Sequence, residues 1–392
     1  MTDFVIFLHI YFIMYHFTRD LKKAILERIS PGKVIIIRGA RRVGKTDLLQ
    51  SIRAELTQPC MLINGEDASV QEQLVRRTAA NYSQLLGSIK FLMIDEAQYI
   101  QGIGGILKLM IDQMEGLCII VSGSSSFSLS NETGEPLTGR KWEYTLYPLS
   151  ENEYVQAENA FERTDKLNSR LVYGSYPELY QIPDLQQKRE YLMEIRNSYL
   201  LKDILQFENI RNSNKIFNLL RLIAYQLGSQ VSYNELGKQL SLSKNTVEKY
   251  LDLLSKCFIL FKLEGFSKNQ RKEVSKSPKW YYYDNGIRNA VISHFEDISL
   301  RNDMGQLWEN FMIAERIKQL EYNRSYANLY FWRTYDGQEI DLVEERNGRI
   351  SAFEMKWSAG KVKVPAAWQK SYPEAPYRVI HPRNATEWLA EK

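Results

Sequence analysis

From Thr18 onward the chain alternates short unbroken apolar runs with amphipathic stretches, the pattern of strands buried on both faces separated by helices. Lys33–Arg38 (KVIIIR), entered from the turn signal Pro31-Gly32, predicts a first strand. Met61–Asn64, Phe91–Ile94 (FLMI) and Leu117–Val121 (LCIIV) predict three more of the kind found in parallel sheets. A helix is expected over Asp47–Leu56, and from about Ser150 to Leu220 strand signals give way to longer helical stretches. Ser232-Tyr233-Asn234-Glu235 has the letters of a capping box, opening a helix that turns Leu236 and Leu240 inward. After a turn through Leu242, Ser243 is the expected N-cap of a second helix, Lys244–Lys256, with Val247, Leu251 and Leu254 facing inward. A strand over Phe258–Leu263 follows. The C-terminal part holds a helix over Gln306–Leu320 and three strand-like runs separated by Asp336-Gly337 and Asn347-Gly348, both hairpin signals. The expected division is 1–17 as an apolar extension, 18–150 as an α/β core, 151–220 as a helical lid, 221–290 as a helix-turn-helix with a wing, and 295–392 as a terminal α/β domain.

The extension Phe4–Phe17 is apolar apart from His9 and His16. As a helix it would span about 21 Å, short of a hydrocarbon core of roughly 30 Å. No basic residue precedes it, so neither a signal peptide nor an integral membrane span is expected, and Met14 is the expected initiator. Among 392 residues, 51 are basic and 47 acidic; this balance of +4 gives no general affinity for polyanions, so nucleic-acid contacts must come from local clusters. Three scattered cysteines exclude a disulfide framework and fit a cytoplasmic protein, and with four scattered histidines they exclude a structural zinc site.

Gly39-Ala40-Arg41-Arg42-Val43-Gly44-Lys45-Thr46 has the form G-x-x-x-x-G-K-[ST], between a predicted strand and a predicted helix. That context lets backbone amides and a helix N-terminus converge on a phosphate chain, so Gly39, Ala40, Arg41, Arg42, Val43, Gly44, Lys45, Thr46 and Asp47 are the expected nucleotide-binding residues. Lys45 would neutralise the β and γ oxygens of ATP, and Thr46 would ligate Mg²⁺. FLMI runs into Asp95 and Glu96 at a strand end, where Asp95 would hold Mg²⁺ through water and Glu96 would polarise the attacking water. The next strand ends in Ser122-Gly123-Ser124-Ser125-Ser126, where Ser124 is the candidate γ-phosphate sensor, a plain Gly/Ser loop being the other reading. Arg140 is either an arginine finger or a structural ion-pair partner, and Arg41 and Arg42 are expected to face outward, toward DNA or a neighbouring subunit in a homo-oligomer.

Lys244, Asn245, Glu248 and Lys249 remain on the open face of the second helix. Lys268, Arg271, Lys272, Lys276 and Lys279 against Glu273 make the following segment a basic wing, suited to DNA contact or to docking a protein partner. Near the C-terminus Glu309, Asp341, Glu354 and Lys356 are expected to converge: residues 354 and 356 share a strand face, and the Asn347-Gly348 hairpin lays Asp341 alongside. Oxygen ligands of this kind suit Mg²⁺ or Mn²⁺, with Lys356 orienting a water and Gln369 accessory.

GARRVGKT, FLMIDE, VSGSSS, LTGR and YPLSENEY together resemble the prokaryotic AAA-type ATPases that carry a C-terminal domain of unknown function with a nuclease-like fold. GSYPELY (Gly174–Tyr180) and LLKDIL (Leu200–Leu205) are similar to the same group, which usually has two glycines where this chain has Gly174-Ser175. The resemblance runs from about Thr18 to Ala385 and implies ATP binding on a RecA-like core. The terminal acid–lysine pattern resembles the PD-(D/E)XK nuclease superfamily, which implies a restriction-endonuclease-like fold. The expected activity is Mg²⁺-dependent ATP hydrolysis coupled to DNA binding or processing. The alternative is a regulatory switch acting on a protein partner, with a silent nuclease-like domain.

Overall fold

The computed structural model describes residues 17–124, 137–159, 161–200, 213–267, 277–360 and 362–391. Two sheets organise these residues. In the first, β1 (Val34–Arg38), β2 (Cys60–Asn64), β3 (Phe91–Asp95), β4 (Cys118–Gly123) and β5 (Lys141–Thr145) are all parallel, in the order β2-β3-β4-β1-β5. The four predicted apolar runs became β1 to β4, and β1 and β4 lie in the middle, sealed by helices on both faces. β5 was not expected, because Lys141-Trp142-Glu143-Tyr144-Thr145 carries polar residues at alternate positions. It is an edge strand, and Glu143 reaches Lys141 at 2.9 Å and Arg38 at 3.1 Å.

The second sheet has the order β11-β10-β9-β8-β6-β7. β6 (Leu260–Gly265) and β7 (Lys279–Tyr282) follow the paired helices Tyr233–Leu240 and Lys244–Lys256, whose N-caps Ser232 and Ser243 stand where the sequence put them. β8 (Asn328–Arg333), β9 (Glu339–Arg346), β10 (Arg349–Met355) and β11 (Tyr377–Ile380) complete it. Between β9 and β10, Asn347 and Gly348 both take positive φ, the two-residue turn that Asn-Gly favours. β6 pairs in parallel with β8 through Glu264–Tyr330 and Gly265–Phe331. The expected break at 290–295 is therefore bridged by one continuous sheet.

The helix Met304–Tyr322 is buried around almost its whole circumference, packing against β7, β10, the helix Ala385–Ala390 and the helix Asp20–Leu26. No helix among the described residues is long and apolar enough to cross a membrane. The apolar extension through His16, residues 201–205 of LLKDIL, Ser125, Ser126 and the basic residues Lys268, Arg271, Lys272 and Lys276 lie outside the described residues.

GSYPELY acquires a structural reason. Gly174 ends the helix Arg163–Tyr173 at φ +79°, and a Cβ there would run into the carboxylate of Asp284. That buried carboxylate accepts the Ser175 amide at 2.7 Å and caps the helix Asn285–Ile292 through the Ile287 amide at 3.0 Å. Gly174→Ala is expected to destabilise the fold by about 2 kcal/mol, from positive-φ strain and a disrupted buried acceptor. Gly305→Ala, with open space around its Cβ in a helix, should be neutral or gain up to roughly 1 kcal/mol. Chemical denaturation of both variants checks the pair.

Candidate functional site

The loop after β1 reverses direction through Arg42 (φ 60°) and Gly44 (φ 92°), then opens the helix Lys45–Arg53 with its amide N–H groups facing the loop. Gly44 is required there, because its αL conformation coincides with close approach by the Arg19 guanidinium. Lys45 is buried and turns back to donate to the carbonyls of Gly39 (3.1 Å) and Ala40 (2.8 Å). The Thr46 hydroxyl donates to Asp95 Oδ2 at 2.6 Å, joining the loop to the end of β3 two strands away. Asp95 also accepts from the Ser122 hydroxyl and from the Glu96 amide. Glu96 sits in αL at φ 50° without being glycine, a strained conformation of the kind that collects at functional sites. Its carboxylate accepts from Gln98 Nε2 at 2.5 Å, while Gln98 Oε1 accepts the Ser124 amide at 3.2 Å.

Five expected residues thus stand together: Lys45, Thr46, Asp95, Glu96 and Ser124. Ser122, expected only among the small hydroxyls at that strand end, also joins them, and Gln98 was missed; its position two residues past the acid, on the same turn, was the available signal. Asp47 is exposed in the first helical turn beside them. The donor set suits Mg²⁺, since a hydroxyl and a carboxylate already lie within 2.6 Å.

The structure gives three arginines partners, and for Arg140 they fit the ion-pair reading. Arg140 lies at the amino end of the sheet: its carbonyl accepts the Val34 amide, and its side chain pairs with Asp112. The phosphate loop leaves the other end of β1, about 16 Å away at ~3.3 Å per residue, so Arg140 is no finger for its own site. Arg42 does not simply face outward; it is held between Glu194 (3.0 Å) and Glu178 (3.7 Å) and lies over the Tyr191 ring. Arg41 donates to the Tyr99 hydroxyl at 3.1 Å.

YPLSENEY is the joint between the nucleotide loop and the C-terminal part. Arg19 is buried and donates to Val43 O inside the loop (2.6 Å), to Tyr147 O (2.7 Å) and to Glu153 (2.9 Å). The Tyr147 amide donates to the Tyr322 hydroxyl at 3.0 Å. Lys318 donates to Leu149 O at 3.0 Å, and Glu315 accepts the Glu151 amide at 2.8 Å. No sequence pattern marked Arg19, which stands far from the loop along the chain.

In the C-terminal part Glu309, Asp341, Glu354 and Lys356 do approach one another. Burial and the neighbouring charge of Asp341 push Glu309 up to about 7, against the pull of Lys279 and Tyr281. Burial likewise raises Asp341, and burial with the Asp341 charge raises Glu354. Lys356 pairs with Glu354 at 2.7 Å, and the Met355 amide donates to Asp341 at 2.8 Å. Among the described residues no group of three His, Cys, Asp or Glu side chains is placed to hold a metal ion. Lys279 supplies the reason: it was expected on the exposed wing, yet only 1% of its side chain is exposed. Its ammonium contacts Glu339 and reaches Glu309 at 3.3 Å. Tyr281, two residues along the same face of β7, donates to Glu309 at 2.6 Å.

A family model described as an AAA domain matches residues 31–155, the segment that carries the phosphate loop and the β3 acids. Residues 31–155 form a P-loop ATPase domain. Beyond this ATPase domain, 164–298 and 304–391 match two domains of unknown function, DUF8612 and DUF4143. An uncharacterized protein of Haemophilus influenzae is 27% identical over 338 residues, covering 80% of each chain. One from Methanocaldococcus jannaschii is 27% identical over 311 residues, covering 74% of this chain and 67% of its own. Among solved structures, a Walker-type ATPase of Pyrococcus abyssi aligns over 71% of this chain and 96% of its own, at 16% identity and a TM-score of 0.44.

The positions within the ATPase domain generate a contrast. Glu96→Gln should keep nucleotide binding and lose hydrolysis by roughly a hundredfold or more. Arg140→Ala should hydrolyse ATP within about twofold of the parent, because it sits at the wrong end of the sheet. Steady-state phosphate release, with nucleotide binding measured separately, checks both.

Proposed function

We propose that the chain is a Mg²⁺-dependent ATPase whose cycle repositions the paired helices and the C-terminal domain on DNA. The observation that carries the ATPase reading is the Thr46–Asp95 contact at 2.6 Å, which joins the phosphate loop to the acidic strand end. Thr46 and Asp95 would hold Mg²⁺, which supplies neutralising charge to the phosphate oxygens of ATP. The amides of the loop and the first helical turn bind the phosphate chain, and Lys45 exchanges its carbonyl partners for phosphate oxygens. Glu96 orients and deprotonates the attacking water, while Gln98 fixes its carboxylate and couples it to the backbone of Ser124. Arg19 would act as a positioning residue, through the Val43 carbonyl that it holds inside the loop.

Loop movement on nucleotide binding or phosphate release would pull on Arg19 and the Tyr147–Glu153 joint, and through Tyr322, Lys318 and Glu315 on the C-terminal helix. The DNA reading is supported by the exposed Lys244, Asn245 and Lys249 on the second of the paired helices. A second reading, a switch that acts on a protein partner while the nuclease-like domain stays silent, is favoured by Lys279, which has left the wing for the acidic cluster. A homo-oligomer belongs to either reading.

The ATPase rate with and without duplex DNA separates them, with Lys45→Ala as the background. DNA binding by the exposed helix should stimulate hydrolysis severalfold, with an apparent affinity that falls steeply between 50 and 200 mM salt, as roughly expected for several phosphate contacts. A rate indifferent to DNA, with the Lys45→Ala control inactive, overturns the DNA reading in favour of the partner switch.

A further inference from the structure

Glu309, Asp341 and Glu354 approach one another as the nuclease-like reading expects, yet among the described residues they form no group of three placed to hold a metal ion. Lys279 stands at the position of positive charge in this cluster, and it comes from a different segment. It belongs to β7, in 164–298, whereas Glu309, Glu339, Asp341 and Glu354 all belong to 304–391. The pairing of β7 with β6, and of β6 with β8, delivers it. Lys279 and Tyr281 occupy one face of β7 and take the Glu309 carboxylate between them. From the other side Gly228 closes on the same carboxylate, where a Cβ would stand 2.9 Å from Glu309 Oε2. Lys279 Nζ also lies 5.4 Å from the centre of the Phe331 ring, so no water shell surrounds it. On the far side of the cluster one oxygen of Glu354, Oε2, is buried without a hydrogen-bond partner.

A buried ammonium is tolerated only where carboxylates compensate it, and here they do. The same compensation has a second consequence. An ammonium and a divalent cation compete for the same carboxylate oxygens, because each positive charge brought into a desolvated space raises the energy of the other. One Glu309 oxygen, Oε1, is already engaged by Lys279 and Tyr281, although Asp341 lies close enough to act on the same carboxyl.

We infer that Lys279 is a resident cation that plugs the carboxylate cluster, so that the C-terminal centre is closed to divalent metal while β7 stays in the sheet. This rests on the nuclease-like reading of Glu309, Asp341, Glu354 and Lys356. It also makes the position of the β6–β7 hairpin the variable that governs the centre: withdrawing β7 removes the plug and frees Glu309 together.

The test uses full-length, nucleotide-free protein and Mn²⁺, with free Mn²⁺ followed by electron paramagnetic resonance. Lys279→Met should bind one Mn²⁺ at least tenfold more tightly than the parent, and adding Asp341→Asn should abolish the gain. Lys279→Arg, which keeps the charge, should show no gain. Because Lys279→Met leaves carboxylates uncompensated, Lys279→Met with Glu339→Gln serves as the charge-relieved version. If both fold only with Mn²⁺ present, that rescue supports the plug; if both fail to fold with or without it, the plug is overturned. Tight Asp341-dependent binding in the parent overturns the plug and leaves the nuclease-like reading standing. Folded variants that gain no binding overturn the plug and the nuclease-like reading together.

Discussion

A guanidinium buried away from water must have its donors satisfied, and Arg19 meets that requirement with three partners from three parts of the chain. Val43 O belongs to the phosphate loop, Tyr147 O follows the edge strand β5, and Glu153 opens the first helix beyond it. Charge-assisted hydrogen bonds are worth roughly 1.5–3 kcal/mol each, and leaving such a charge unpaired costs more than making the bonds gains. The phosphate loop therefore does not move independently of the joint after β5. Glu153 strengthens the constraint, because the oxygen that pairs Arg19 also accepts the Asp20 amide while its other oxygen caps Ser150. One ion pair sets the N-terminal helix, the loop and the entry to the helical segment at once.

Much of this was legible along the chain. Apolar runs bounded by turns gave β1 to β4, and the P-loop letters together with the acids after FLMI located Lys45, Thr46, Asp95 and Glu96. Asn347-Gly348 gave the β9–β10 register that brings Asp341 beside Glu354. Legibility failed where contacts are long-range and polar. β5 reads as surface because it is an edge, with Lys141 and Glu143 paired on its open face. β11 (YRVI) is four residues long and finds its place only by pairing with β10. Arg140 carried two readings because its letters follow the nucleotide motifs; strand direction puts it at the other end of the sheet, where it is the ion-pair partner of Asp112. Lys279 was counted with a basic segment because charge counting along a sequence cannot distinguish an exposed lysine from one at 1% exposure facing carboxylates.

Two lysines show the same physics put to different ends. Lys45 is buried against carbonyl oxygens, which carry partial charge and give up the ammonium readily to phosphate. Lys279 is buried against full carboxylates, and burial, which alone would discharge it, is outweighed by Glu309, Glu339 and Asp341, so its pKa is raised. The first arrangement is poised for exchange with an anionic ligand. The second is a lock, whose opening requires moving the strand that carries the lysine.

The helix Met304–Tyr322 lies between these two lysines and touches the surroundings of both. Its C-terminal turns meet the ATPase joint through Glu315, Lys318 and Tyr322, and its first turns carry Glu309 into the acidic cluster. Thirteen residues separate Glu309 from Tyr322, about 20 Å of continuous helix at ~1.5 Å per residue. Packed on nearly every side, it is a close-packed element that belongs to both surroundings at once. Glu309 is also the carboxylate through which Lys279 and Tyr281 hold β7. The joint behind the phosphate loop and the strand that carries Lys279 therefore meet on one and the same helix, with no contact needed between the phosphate loop and the acidic cluster.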